Sequence, residues 1–255
     1  MIWTNTWRIT GRKGWKSLDY RNEWKYQVSG AQLAVLAARL TPLLRPDGHH
    51  RPGGYAIRSL YFDDFDNSCL RENEAGVDDR RKYRLRIYNG DTGLIKLEIK
   101  EKLHGMTHKT GCTITPEQCR AILQGTPPPI GPDSPPPMNL LAAAMRTRGM
   151  APKVIVEYER TAYISRLGNV RITFDRNIAA SAAVGRFLDE RVPLTPILPA
   201  GQHVLEVKYD EFLPDPVAQV LELGHLRRTA FSKYYLSRLV LSEPLAERAM
   251  QYELQ

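Results

Sequence analysis

The protein has 255 residues, a length that suits one large barrel domain or two small domains. Hydrophobic residues make up 42% of the chain and charged residues 25%, which is close to the globular average and excludes global disorder. The formal net charge is +8 and the pI is about 9.4. This basic balance favours an anionic partner: a nucleic acid, a membrane surface or a phosphorylated substrate.

Cysteine usage and hydropathy indicate the cellular compartment in which the protein works. The three cysteines form no Cys-x-x-Cys pair, so neither a disulfide framework nor a cysteine zinc site is expected. No apolar run approaches the ~20 residues of a membrane span, and residues 1–16 lack the apolar core of a signal peptide. We therefore expect a cytoplasmic protein. Work at the inner face of a membrane would need a separate membrane protein as partner.

Strand-like and helix-like segments alternate along the chain. In chain order, strands are predicted at Leu18–Val28, Tyr55–Asp63, Lys82–Tyr88, Leu94–Leu103, Lys109–Thr115, Lys153–Ile164, Asn169–Asp175 and Val204–Tyr209. Helices are predicted at Ser29–Gly48, Thr115–Gly125, Met138–Arg148, from Asp215 onward and at Thr229–Leu241, with a solvated helix after Pro244. A Pro-rich loop spans residues 126–137. This order predicts a single α+β domain over residues 1–255.

Charged side chains recur on one face of five predicted strands, because residues two apart on a strand share a face. The charged sets are Arg21, Glu23 and Lys25; Lys82, Arg84 and Arg86; Lys96, Glu98, Lys100 and Lys102; Arg171, Thr173 and Asp175; and Glu206 and Lys208. One such strand indicates only a solvated sheet face. Five strands biased to Lys and Arg instead predict a closed antiparallel β-barrel with a wet, positive tunnel and helices packed on its outside.

A linear chain of phosphates would fit such a tunnel. Lys and Arg from several strands can surround it, and Arg can donate two hydrogen bonds to one phosphate. The carboxylates among these bases would repel phosphate unless a divalent cation lies between them, and Glu is a hard oxygen ligand suited to Mg²⁺ or Mn²⁺. Many bases mixed with a few acids therefore indicate metal-assisted phosphoryl transfer.

Short motifs follow one another along nearly the whole chain. They are Arg21-Asn-Glu23-Trp-Lys25-Tyr26, Ser59-Leu-Tyr61-Phe62-Asp63, Lys82-Tyr-Arg84-Leu-Arg86, Leu97-Glu98-Ile-Lys100, Tyr158-Glu-Arg160, Arg171-Ile-Thr-Phe-Asp175, Leu205-Glu206-Val-Lys208 and Ser232-Lys233-Tyr234. In this order they resemble the VTC domain, the catalytic module of polyphosphate polymerases within the CYTH-like triphosphate tunnel metalloenzymes. Arg21 stands where thiamine triphosphatases and class IV adenylyl cyclases carry a glutamate, which favours the VTC branch.

The resemblance implies a role for each matched side chain. The catalytic set in contact with the phosphates would be Lys25, Arg84, Arg86, Lys100, Arg160, Arg171 and Lys233. Further substrate-binding residues would be Arg21, Lys82, Lys109, Lys208, Ser59 and Tyr61. Glu206 would be the principal ligand of Mn²⁺ or Mg²⁺, assisted by Glu23 and Glu98.

Three functions are compatible with these residues. The first is a polymerase that transfers the γ-phosphate of ATP to growing inorganic polyphosphate. The second is a hydrolase of the same fold that cuts tripolyphosphate or a nucleoside triphosphate. The third is a non-enzymatic module that binds polyphosphate or RNA, against which Glu206 argues because a carboxylate adds nothing to polyanion binding. The basic pairs at 80–81 and 227–228 lack a helix or aromatic platform, so no sequence-specific nucleic acid partner is expected.

Overall fold

The computed structural model describes residues 22–242, apart from 50, 52, 104, 105 and 223–225. Arg21 and the helix predicted after Pro244 lie outside these described residues. The strands are β1 (Asn22–Ser29), β2 (Arg45–Pro46), β3 (Tyr55–Asp63), β4 (Arg80–Tyr88), β5 (Asp91–Leu103), β6 (Met106–Ile114), β7 (Ala151–Ser165), β8 (Val170–Ser181), β9 (Thr195–Pro196) and β10 (Gln202–Tyr209). The α-helices are α1 (Gly30–Leu40), α2 (Ser68–Glu74), α3 (Pro116–Leu123), α4 (Pro136–Arg148), α5 (Asp215–Leu221) and α6 (Lys233–Val240).

All ten strands belong to one antiparallel sheet, whose main path is β1-β10-β8-β7-β3-β4-β5-β6. The short strands β2 and β9 pair at the side of this path, with β7 and β8. Although β1 and β5 lie near opposite ends of the order, Lys100 of β5 reaches to 3.5 Å from Glu23 of β1. The sheet therefore curves until its ends approach each other, and the predicted α+β class with an antiparallel sheet is confirmed.

Apolar side chains on the other face of the sheet pack against helices. Leu36 of α1 belongs to the same buried cluster as Ile172 and Leu205. On the other half of the sheet, α3 and α4 pack on β5, where Leu97 shares a buried cluster with Leu141. Period-two alternation on the strands and helical spacing on α1 thus bury two apolar clusters against the helices. The charged residues share the opposite sheet face with buried apolar side chains such as Ile57 and Val204.

The first helix is shorter than its predicted range of Ser29–Gly48. It starts as predicted, with a capping box in which Ser29 Oγ accepts from Gln32 N at 3.2 Å. It ends at Leu40, because Pro42 has no N–H to continue the helical hydrogen bonds. The chain then extends, and Pro46 pairs with Tyr163 of β7. The predicted end at Gly48 is wrong for this reason.

Three further helices differ from the sequence prediction. Helix α4 begins at Pro136, inside the predicted loop 126–137, rather than at Met138. The last helix begins at Lys233 rather than Thr229, because Ser232 caps it by accepting from Tyr235 N at 3.3 Å. The short helix α2 was not predicted, and its first turn is held by Asp63, which accepts from Cys69 N at 2.8 Å. In the described part of the chain, no helix has the length and apolarity needed to cross a membrane.

Candidate functional site

Two carboxylates and three lysines meet where β1 pairs with β10. The register places Lys25 opposite Glu206 and Glu23 opposite Lys208. Lys208 Nζ lies 2.6 Å from Glu206 Oε1 and 3.7 Å from Glu23 Oε2. Lys25 Nζ lies 2.7 Å from Glu23 and 3.9 Å from Glu206, and Lys100 adds its contact to Glu23. Each carboxylate thus contacts at least two ammonium groups.

These lysines keep both carboxylates ionised despite their burial. Burial and the charge of Glu206 act to raise the pKa of Glu23, but Lys208, Lys25 and Lys100 outweigh them and lower it to about 2. Burial also opposes ionisation of Glu206, and Lys208, Arg160 and Lys25 nevertheless hold its pKa well below the usual value. The two acids repel each other, which is the arrangement that a divalent cation relieves.

A second cluster surrounds Glu98 of β5. Arg84 Nε donates to Glu98 Oε2 at 2.7 Å, Arg86 lies 3.6 Å from the same atom, and Lys109 contacts the other carboxylate oxygen. Burial acts to raise the pKa of Glu98, but Arg84, Arg86 and Lys109 lower it to about 2. Glu98 therefore acts as the counter-ion of three bases in this structure.

Hydroxyl groups complete the surroundings of the two arginines. Arg84 donates to Tyr61 Oη at 3.3 Å, and Arg86 donates to Ser59 Oγ at 3.1 Å and to Tyr158 Oη at 3.4 Å. Burial acts to raise the pKa of Tyr61, but Arg84 and Arg86 lower it to about 8. The guanidinium groups are therefore held in fixed positions by neutral as well as charged acceptors.

The third cluster centres on Asp175, which has no solvent exposure. Arg160 Nε and Nη2 donate to its two oxygens at 2.6 and 2.7 Å, and Lys233 Nζ lies 2.6 Å from Oδ2. The ammonium of Lys233 also lies 4.8 Å from the ring centroid of Tyr158. Tyr158 and Arg160 therefore lie on the same face of β7 as these contacts. Sequence reasoning placed Asp175 on the polar face but gave it no role in the site.

Helix α6 contacts the polar face of the sheet, so the expectation that the helices pack on the outside does not hold for this helix. Its first residue, Lys233, belongs to the Asp175 cluster. The ring centroids of Tyr234 and Tyr61 are 5.5 Å apart. The hydroxyl of Tyr234 donates to Asp63, whose carboxylate also accepts from the first turn of α2. Asp63 thus fixes α6 against α2. The sequence motif that contains Asp63 did not predict this role.

Lys82 lies between α2 and α6. Its Nζ donates to Asn73 Oδ1 at 2.6 Å and lies 3.4 Å from Ser232 Oγ. Burial is the largest influence on this ammonium and lowers its pKa to about 8. Lys82 is therefore a positive group near the junction of both helices with the polar face.

Arg171 of β8 is held by the chain that follows β2. Its Nη2 lies 3.1 Å from Asp47 Oδ2 and 3.3 Å from Tyr55 Oη, and Tyr55 itself donates to Asp47 at 3.0 Å. Two buried atoms on this strand, Arg171 Nε and Thr173 Oγ1, have no hydrogen-bond partner among the described residues. The contact of Asp47 with Arg171 was not predicted, because it depends on how the loop after β2 folds.

The structure brings the described residues of the predicted site together in these clusters, and their roles in binding and catalysis stay predictions. Apart from Arg21, which lies outside the described residues, every predicted site residue takes part in the contacts above or belongs to their strands. Besides Glu23, the acids paired with these bases are Asp47, Glu98, Asp175 and Glu206. The arrangement can bind an extended anion by exchanging these internal counter-ions for phosphate oxygens.

A family model of the VTC domain matches residues 20–242. The chain belongs to the VTC domain family.

Among curated protein sequences no match was found. Of the solved structures, a candidate adenylate cyclase from Vibrio parahaemolyticus is similar to this VTC domain at 12% identity, with a TM-score of 0.47 over 86% of this chain and 97% of that one. A candidate adenylate cyclase from Bacillus halodurans has 13% identity and a TM-score of 0.45 over 78% and 84% of the two chains. A Pyrococcus horikoshii protein has 12% identity and a TM-score of 0.44 over 85% and 97%.

Two carboxylates of this VTC domain have the chemistry of ligands for a divalent cation. Among the described residues, no three His, Cys, Asp or Glu side chains form a ready metal cluster. Glu23 and Glu206 nevertheless lie on paired strands, share two lysines and repel each other. Mg²⁺ is commonly bound by one or two carboxylates, with phosphate oxygens and water as the remaining ligands. The pair therefore fits, whereas Glu98 contacts a different set of bases.

Proposed function

We propose that the protein is a metal-dependent polyphosphate polymerase that transfers the γ-phosphate of ATP to a growing polyphosphate chain. The observation that carries this proposal is one polar face to which β1, β4, β5, β6, β7, β8, β10 and α6 all contribute Lys or Arg. Membership of the VTC domain family supports a triphosphate-binding fold. A long row of bases exceeds what a single small phosphate needs, and it suits an extended chain of phosphates.

We also infer that the curved sheet closes into a tunnel around this face. The contact between Lys100 and Glu23 joins strands near its two ends. Several charged residues on the face are almost fully buried, with exposures of 6% for Arg86, 5% for Glu98 and 6% for Glu206. An open, solvated face would leave such side chains exposed, so their burial supports an enclosed lumen that is lined by paired charges.

In the proposed reaction, the bases position the triphosphate and neutralise its developing charge. Arg84 and Arg86 would bind phosphate oxygens, because their guanidinium groups are already oriented by Tyr61 and Ser59. Lys233 would bind next to them from α6. Glu206 and Glu23 would hold the divalent cation, which supplies further charge neutralisation at the phosphates. The oxygen at the end of the growing chain would then attack the γ-phosphate, and ADP would leave.

The products formed from ATP test this proposal. Purified protein is incubated with ATP and Mn²⁺ or Mg²⁺, and the reaction is followed by ³¹P NMR. A polymerase yields ADP with internal polyphosphate resonances. ADP with orthophosphate as the only other product would overturn the polymerase in favour of a hydrolase. Polyphosphate binding without any turnover would indicate a non-enzymatic module.

A further inference from the structure

An aromatic cavity lies at one end of the polar face, next to the contacts of Arg171. It has a volume of about 170 Å³ and is lined by Gly48, His49, Arg51, Tyr55, Tyr88 and Asn89. Tyr55 contacts Arg171 of the proposed phosphate site, whereas the other lining residues are not among those proposed to bind phosphate. Because pockets that bury a whole ligand usually reach about 300–1,000 Å³, this cavity suits a single planar group.

Three rings provide flat apolar surfaces in this cavity. The rings of His49 and Tyr88 are close to parallel, with an interplanar angle of 16° and centroids 6.2 Å apart. The ring centroid of Tyr55 lies 6.0 Å from that of His49 and 6.3 Å from that of Tyr88. We refer to these three side chains as the aromatic cup. Flat π-surfaces of this kind stack with nucleobases, whichever base is present.

Hydrogen bonds anchor the Tyr55 side chain and the backbone on both sides of the aromatic cup. Tyr55 Oη donates to Asp47 Oδ2 at 3.0 Å, and His49 N donates to Asp47 Oδ1 at 3.1 Å. Next to Tyr88, the side chain of Asn89 accepts from Ala56 N at 3.0 Å, which fixes the end of β4 against β3. A site whose backbone and one ring are already fixed loses less conformational entropy on binding a ligand.

Cations connect the aromatic cup to the phosphate-binding face. Arg171 Nη2 lies 3.3 Å from Tyr55 Oη, and Lys96 Nζ lies 5.5 Å from the ring centroid of Tyr88. Regular pairing of Tyr88 with Ile57, and of Arg86 with Ser59, keeps Tyr88 on the same sheet face as the arginines. A molecule that joins a planar ring to a row of phosphates could therefore contact the cup and the bases together.

We propose that the aromatic cup is the nucleobase subsite for the nucleoside triphosphate donor, with its ring stacked on Tyr88 and His49 and its phosphates directed toward Arg171. This inference rests on the proposed function, because it assumes a nucleotide donor on the polar face. It adds that the protein distinguishes a nucleoside triphosphate from an inorganic chain of phosphates. Asp47 reinforces this choice by orienting both Tyr55 and Arg171.

Affinities for ATP and for inorganic tripolyphosphate, measured by calorimetry without divalent metal, test the subsite independently of turnover. His49→Ala removes one exposed ring, and Tyr88→Leu keeps apolar volume but removes a flat face. We expect each variant to lose about 10-fold in ATP affinity, which equals about 1.4 kcal/mol and lies within the range for one base stacked on an aromatic ring. Tripolyphosphate affinity should change less than about 2-fold, since this ligand has no base.

Two further variants serve as controls. His108→Ala removes an exposed imidazole from β6, outside the cup, and should leave both affinities unchanged. Arg171→Ala should weaken both ligands, because it removes a phosphate contact. Retained tripolyphosphate binding also shows that each cup variant is folded.

The outcomes separate this inference from the function on which it rests. Equal losses for ATP and tripolyphosphate in the cup variants would overturn the nucleobase subsite and indicate a phosphate site. Unchanged ATP affinity in both variants would also overturn it, while leaving the proposed function intact. If the parent protein binds neither ligand, the proposed function fails and the subsite fails with it.

Discussion

Asp175→Asn is the substitution that most directly tests how the protein balances charge on its polar face. Asp175 is fully buried and accepts from Arg160 and Lys233, whose side chains are only 12% and 11% exposed. Asparagine keeps the shape of the side chain but removes its negative charge and points an NH₂ group toward cationic donors. The variant therefore leaves two buried positive groups without their counter-ion.

The size of the effect follows from that burial. Removing one partner of a buried ion pair destabilises a protein by about 3–5 kcal/mol. For a domain of this size, 1 kcal/mol shifts Tm by about 2–4 °C, so Asp175→Asn should lower Tm by on the order of 10 °C. Polyphosphate should restore more stability in the variant than in the parent protein, because a bound anion replaces the missing charge. At 100 times the Kd, binding itself adds about 2.7 kcal/mol.

Thermal unfolding with and without polyphosphate measures both effects. Asp189→Asn is the matched control: Asp189 forms a half-exposed ion pair with Arg186, at 2.8 Å, which contributes less than about 1 kcal/mol. We expect this control to melt close to the parent protein. If Asp175→Asn melts at the same temperature as Asp189→Asn, or if polyphosphate stabilises both equally, the Asp175 cluster is not the counter-ion of an anion site.

Other substitutions test the metal, the bases and the pH dependence. Glu206→Gln should lose turnover with Mn²⁺ but keep polyphosphate affinity measured without metal, and retained turnover would contradict the metal assignment. Arg84→Ala should abolish turnover without lowering Tm, because crowded bases repel one another and Glu98 keeps Arg86 and Lys109 as partners; a large fall in Tm would show a structural role instead. Since the pKa of Glu98 is lowered from 4.5 to about 2, its stabilising effect is complete above pH 4.5 and is lost as the pH falls toward 2. Melting curves between pH 7 and pH 2 should therefore show a weaker acid dependence for Glu98→Gln than for the parent protein, and identical profiles would refute this.

The polar face could be predicted from the sequence because side-chain alternation is a local property of a strand. In the sequence, Lys25, Arg84 and Glu206 each stand between two apolar or aromatic residues, as in a strand with one polar and one apolar face. Their strands form where this alternation predicts them. The capping box at Ser29 is likewise local, so the start of α1 was correctly located. Its end at Leu40 was placed too late, although Pro42 is a local signal. The pairing of Arg45–Pro46 with β7, in contrast, depends on a strand far along the chain.

The sequence by itself determined the class of fold, the charged face and the family motifs. Only the tertiary structure decided which acid neutralises which base: Asp175 binds Arg160 from the neighbouring strand and Lys233 from α6, and Asp47 reaches Arg171 from a loop. These contacts depend on the register of distant strands and on the position of a helix at the other end of the chain. Both are set by strand pairing and by the packing of the two apolar clusters, which join residues far apart in the sequence.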